Sequence, residues 1–197
     1  ITIENEGDLT ASAYSNNIAL AAGIYVNTDG DISIDNSGQI VATASVYAEY
    51  DFTFAGAAGI KATSSDGAID ITNSGLISVA AYVYDQAGVY VSTASAIGID
   101  ADGYSVSIDN TGNIDAFASN DMVLGNSIAI GINAEATADI TISNSGDISL
   151  AGSSGDGYYL GGSYPNYIRF TGDFTATGIK AESTYGSISI DNSGDIS

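Results

Sequence analysis

The chain has 197 residues, with 24 acidic side chains against three basic ones (Lys61, Arg169 and Lys180), and its formal charge of −21 sets it against nucleic acid phosphates and anionic membrane surfaces. It contains no Cys, His or Trp, which excludes disulfides, thiolate and imidazole metal sites, and nucleophiles of the cysteine or Ser–His kind. With 45% hydrophobic residues it is too apolar for a disordered acidic chain, yet its longest nearly apolar run, Ile18 to Val26, is far short of the roughly 20 residues of a membrane-spanning helix. A folded chain is expected, with no nucleic acid partner and no membrane insertion. It opens at Ile1 without an initiator Met or a signal-like run, as a processed product or a piece of a longer polypeptide would.

Read from the N-terminus, an Asn-x-Gly-x-(Ile/Leu) element preceded by alternating β-branched residues recurs six times, at Asn5, Asn36, Asn73, Asn110, Asn144 and Asn192. A second element, Gly-Ile-x-(Ala/Val), falls between the copies at Gly23, Gly59, Gly98, Gly131 and Gly178. These glycines precede the next Asn by 13, 14, 12, 13 and 14 residues, whereas the arm from each Asn to the next such glycine runs 18, 23, 25, 21 and 34 residues. One arm of the repeat is fixed and the other is free to grow.

Each arm reads as strand, because Ile-x-Ile alternates with Ser, Thr and Asp at period two and no stretch shows a capped helical pattern. The period of 31 to 48 residues suits one coil of a solenoid with three strands and their corners. The fold class expected is all-β: a right-handed parallel β-helix of about five to six coils, one repeat per coil. The chain is then a single β-solenoid domain, 1–197, with repeats starting near 1, 32, 69, 106, 140 and 188 and a long insertion loop over about 150–176. Gly30, Gly67, Gly103 and Gly186 before the Ile-x-Ile strand, and the glycine of Asn-x-Gly after it, are expected to supply a positive φ at tight corners. The six Asn should form one structural ladder, each side-chain amide bonded to the next coil.

The outward position before each Asn reads Glu4, Asp35, Thr72, Asp109, Ser143 and Asp191. Like charges about 4.8 Å apart repel by roughly 1 kcal/mol in water, so the neutral Thr72 and Ser143 relieve the column. Further carboxylates crowd the corners at Asp29-Gly-Asp31 and Asp100-Ala-Asp102. Hard oxygen donors of this kind suit Ca²⁺, which makes Asp29, Asp31, Asp100 and Asp102 the candidate metal ligands, against the plain alternative of a solvated acidic surface. No other cofactor is indicated, and no EF-hand loop is present.

Aromatics gather in the variable arm. Tyr47, Tyr50, Tyr82, Tyr84, Tyr158 and Tyr159 are candidates for a contact surface toward a glycan or a host or neighbour-cell protein, or else they widen the core. A polysaccharide-processing enzyme built on paired carboxylates is a third reading, set back by the scarcity of basic residues to hold an acidic glycan.

The wording of Ile140-Thr-Ile-Ser-Asn-Ser-Gly-Asp-Ile148 resembles the passenger domains of bacterial autotransporters and related β-strand-repeat surface adhesins, over the whole chain through its six copies. The resemblance implies a secreted, cell-surface, Cys-free β-helix, and carries over no functional residue because the motif is a corner. Residues 1–10 and 188–197 are the same strand in the same phase, so Ile1, Ile3, Ile188 and Ile190 are expected at two equivalent open edges. Partners are then flanking repeats of a longer chain or further copies in a head-to-tail homopolymer. The function expected is an extracellular structural solenoid of a fibre, matrix or surface layer, with an adhesin stalk as the alternative and no catalysis.

Overall fold

A computed structural model describes residues 1–48, 52–85, 91–121, 124–160 and 167–197. In chain order the strands are β1 (Thr2–Asn5), β2 (Leu9–Ser15), β3 (Ile18–Thr28), β4 (Ile32–Asn36), β5 (Ile40–Ala48), β6 (Phe52–Ser64), β7 (Ala68–Asn73), β8 (Ile77–Asp85) and β9 (Val91–Gly103). They continue with β10 (Ser105–Asn110), β11 (Ile114–Asn120), β12 (Leu124–Ala136), β13 (Ile140–Asn144), β14 (Ile148–Ser154), β15 (Asp156–Leu160), β16 (Tyr167–Thr171), β17 (Phe174–Ser183) and β18 (Ile188–Asn192). As far as β14 every third strand returns to the same face, and β17 and β18 resume that order after β15 and β16. Among the described residues three parallel sheets result, ordered β1-β4-β7-β10-β13-β18, β2-β5-β8-β11-β14 and β3-β6-β9-β12-β17. The protein is a parallel β-solenoid.

The sequence pattern explains the three faces. On the first, Ile-x-Ile-x-Asn turns two aliphatics and the Asn inward, and β4 and β13 alternate strictly between buried and exposed residues. Identical residues stack: Ile34 pairs with Ile3 and Ile71, and Ile108 with Ile71 and Ile142. The second and third faces bury Ile followed by Ala or Val, as in Ile40, Ala42, Ala44 and Val46, all fully buried. Small Ala on two faces against Ile on the third keeps the coil thin, and no coil could bury its aliphatics without the ones above and below.

The Gly-Ile element sits in the middle of the third face. There the inward phase slips by one residue, so that Gly59 and Ile60 are both buried. A Cβ at Gly59 would stand 2.3 Å from Ile77 Cγ2 and 2.6 Å from the Gly98 carbonyl oxygen of the next coil, and Gly98 and Gly131 face the same obstruction.

Two expectations are corrected here. Neither the glycines of Asn-x-Gly nor Gly30, Gly67, Gly103 and Gly186 take a positive φ; the glycine of Asn-x-Gly is there because the coils touch. A Cβ at Gly38, Gly75, Gly112, Gly146 or Gly194 would lie 2.0 to 2.1 Å from the carbonyl oxygen of the equivalent glycine in the preceding coil. Within the span expected as a loop over 150–176, the described residues are largely strand. β14 completes the second face, and β15 and β16 form an antiparallel hairpin that pairs Asp156 with Thr171 and Leu160 with Tyr167.

The glycine file yields a contrast. Gly75→Ala should destabilise the fold by at least the upper end of the roughly 1–3 kcal/mol of core overpacking, because the obstacle is backbone. Gly7→Ala, which meets nothing within 4 Å, should stay within about 0.5 kcal/mol of the parent. Urea unfolding of dilute protein measures both.

Candidate functional site

The features that could act on something outside the chain are its axial files of side chains and the two ends on which they open. The asparagine file is built by the first sheet, whose register places Asn5, Asn36, Asn73, Asn110, Asn144 and Asn192 side by side. Each Nδ2 donates one hydrogen to the carbonyl of the glycine two residues on, at 2.8–2.9 Å, and for Asn36 through Asn144 this bond is buried. The other hydrogen goes to the next Asn: Asn5 to Asn36 at 2.7 Å, Asn36 to Asn73 at 2.6 Å, Asn73 to Asn110 at 2.7 Å, and Asn110 to Asn144 and Asn144 to Asn192 at 2.6 Å. The glycine carbonyl fixes which way each amide faces, since only the nitrogen can donate to it. The file is therefore polar, with an acceptor leading at Asn5 and a donor trailing at Asn192.

The carboxylates form a second set of inter-coil links. Asp31 Oδ1 accepts the Ala68 N–H at 2.9 Å, Asp147 Oδ1 accepts that of Asp195 at 3.1 Å, and Asp139 Oδ1 accepts the N–H and hydroxyl of Ser187 at 2.8 and 2.9 Å. Asn113 Oδ1 takes the Asp147 N–H in the same way, at 3.1 Å. Corners leave N–H groups outside the strand ladders, and a short acidic or amide side chain of the previous coil satisfies them. The Ser187 N–H, then its hydroxyl, hold the Asp139 carboxyl below its ordinary pKa.

The four candidate calcium ligands do not converge. Asp29 accepts the Ser65 hydroxyl at 2.8 Å and Asp31 the Ala68 N–H. Asp102 belongs to a different coil, with Thr63 paired between it and Asn27. Asp100 faces outward, bonded to the Lys61 ammonium and to Asn133 Nδ2 at 2.8 Å. Among the described residues no group of three or more acidic side chains is disposed to hold a metal ion. Asp102, Glu135 and Glu182 do stack in register beside a recess of about 380 Å³, with Lys180 bonded to Glu135 at 3.2 Å and Glu182 at 3.4 Å. The hydrogen bond to Glu135 raises the Lys180 pKa most, opposed by desolvation and helped by Glu182.

Of the contact-surface tyrosines, Tyr47, Tyr82 and Tyr84 lie outward on the second face and pack ring against ring. Tyr14 and Phe117, which sequence reasoning did not single out, extend the file. Its centroid separations are 5.5 Å for Tyr14–Tyr47, 5.1 Å for Tyr47–Tyr84, 5.8 Å for Tyr82–Tyr84 and 5.4 Å for Tyr82–Phe117. Equal offsets from the ladder held the signal: Tyr47 and Tyr84 each lie 11 residues after their Asn, and Tyr14 and Tyr82 each 9. Tyr50 lies outside the described residues. Tyr158 and Tyr159 fall on β15, whose side chains are likewise outside them. The structure also exposes an apolar groove of about 550 Å³ on the outer third face, lined by Leu20, Tyr25, Phe54, Ala58 and Ile97.

Of the edge residues, Ile1, Ile188 and Ile190 are 58%, 45% and 46% exposed, while Ile3 is partly buried against the core. Among the described residues β1 pairs only with β4, and β18 only with β13.

Set against known proteins, the chain matches no family model, no curated protein and no solved structure. The likeness to autotransporter passengers thus rests on the corner wording alone.

Two measurements probe these files. Asn73→Ala strands a buried donor on Asn36 and should cost on the order of 3 kcal/mol, against about 1 kcal/mol for Asn5→Ala at the open edge, read by urea unfolding. Because the folded pKa of Asp139 is lowered, its contribution is present above the ordinary carboxylate pKa and lost as pH falls through the folded value. The melting gap between parent and Asp139→Ala should therefore hold at neutral pH and close below about pH 4.

Proposed function

We propose that the protein is an extracellular structural β-solenoid that builds a fibre, matrix or surface layer, its end faces stacking head to tail on further coils of the same repeat. The observation that carries this reading is the glycine at position 7. In every later coil the equivalent glycine is required because a Cβ would strike the glycine carbonyl of the coil before it, yet Gly7 meets nothing within 4 Å. Gly30 repeats the pattern: its Cβ would be free, whereas one at Gly67 would lie 2.3 Å from the Gly30 carbonyl carbon. Two corners of the first coil are thus shaped for a coil beneath them.

The opposite end offers what those corners need. Asn192 trails the ladder with a donor and Asn5 leads it with an acceptor, so a copy placed in register continues the file. The exposed edges of Ile1 at one end and Ile188, Ile190 and Ile196 at the other supply apolar area to bury. Such a contact is heterologous and does not close, and the product is a filament. Preceding coils of a longer polypeptide would make the same contact covalently continuous. The extracellular setting rests on the likeness to surface adhesins.

A second reading, the stalk or binding segment of a bacterial surface adhesin, is favoured by the groove at Leu20, Phe54 and Ile97, an apolar patch on a face the fold does not use.

Electron microscopy of the purified chain over a range of concentrations tests the proposal. Filaments of a single subunit are expected, dissolving under denaturant to a mass near 19.9 kDa. Gly7→Val should keep the parent's melting temperature at low concentration and form no filaments. A parent chain that stays a discrete short rod at every concentration overturns self-stacking and favours the stalk.

A further inference from the structure

The tyrosine file on the second face has a chemistry the stacking proposal does not use. Tyr47 of β5 and Tyr84 of β8 occupy directly paired positions in adjacent coils, the one such tyrosine pair among the described residues. Their ring centroids lie 5.1 Å apart with planes tilted by 34°, and both side chains are half-buried on the outer surface. Tyr14 and Tyr82 flank them at 5.5 and 5.8 Å. Ring edges at this distance are in van der Waals contact, so joining them takes side-chain rotation and no change of backbone. The chain has 13 tyrosines and no cysteine, so a covalent tie between coils cannot be a disulfide.

We propose that Tyr47 and Tyr84 form an oxidative cross-linking site, where hydrogen peroxide acting through a haem peroxidase joins the two rings as dityrosine and locks one coil to the next. Each phenol gives up one electron and its hydroxyl proton. The two phenoxyl radicals couple through the ring carbons ortho to oxygen, forming one C–C bond. The hydrogens on those carbons leave and the oxygens are reprotonated, while the peroxide takes up two electrons and two protons to give two waters. The net change is the loss of two hydrogen atoms. Burial and the neighbouring Tyr82 and Tyr47 raise the Tyr84 pKa, in keeping with phenols held against one another. The proposal is independent of filament formation.

The test is treatment of the dilute folded chain with a plant-type peroxidase and hydrogen peroxide, followed by dityrosine fluorescence, intact mass and peptide mapping. A monomer lighter by two hydrogens is expected, with the peptides of Tyr47 and Tyr84 joined. Because the pair is held in place, Tyr47→Phe and Tyr84→Phe should each lower intrachain dityrosine roughly tenfold, whereas Tyr104→Phe should not. Phe keeps the ring, so the variants should fold, which circular dichroism checks. Unchanged intrachain yield in the Tyr84→Phe chain, cross-links only between chains, the same Tyr47–Tyr84 yield in denaturant, or no dityrosine at all overturns the assignment.

Discussion

The contact on which the rest of the structure depends is the one between successive Asn-x-Gly corners. There the glycine carbonyl accepts from the Asn of its own coil, the Asn passes its second hydrogen to the next coil, and the absent Cβ lets the two backbones meet. A buried amide with both hydrogens placed is stable; the same amide in a coil displaced by one residue would face the other way, because side chains alternate along a strand. The corner therefore sets the register of the first sheet. The fixed arm ties that register to the third sheet, and the constant four residues from each Asn to Leu9, Ile40, Ile77, Ile114 or Ile148 tie it to the second.

The high negative charge takes on a different meaning in this light. A solenoid corner breaks the ladder and leaves N–H groups without strand partners. Asp31, Asp139 and Asp147, with Asn113, answer those groups from the coil before. The other acids among the described side chains lie outward, where β-structure would otherwise present flat neutral surface to its neighbours. The fibre proposal rests on this contrast: charge on the sides and apolar edges at the ends would direct association along the axis.

Much of this was legible in the chain. The six Asn copies gave the coil and the Ile-x-Ile alternation gave the inward residues of the first face, while the equal offsets of Tyr47 and Tyr84 from their Asn held a signal left unused. The two acidic corners offered as calcium ligands, Asp29–Asp31 and Asp100–Asp102, lie on coils with another coil between them, and each of Asp29, Asp31 and Asp100 has a partner in a neighbouring coil, which no pattern within one coil reveals. The glycines misled for a related reason: within one coil an Asn-x-Gly corner looks like a turn needing positive φ, and only the adjacent coil shows that the demand is for space. The groove at Leu20 and Phe54 was hidden because Ile18 to Val26 is apolar at both parities, so that alternation did not say which set faced out.

By itself the sequence determined the fold class and the inward Ile columns of the first face, because these follow from periodicity and from identity between copies. Tertiary structure alone decided which groups of different coils meet: the polarity of the Asn file, the carboxylate that reaches the next corner's N–H, the ring that lies on another ring. Such contacts join residues 31 to 48 positions apart and depend on an axial spacing set by the backbone ladder, a distance no local pattern encodes.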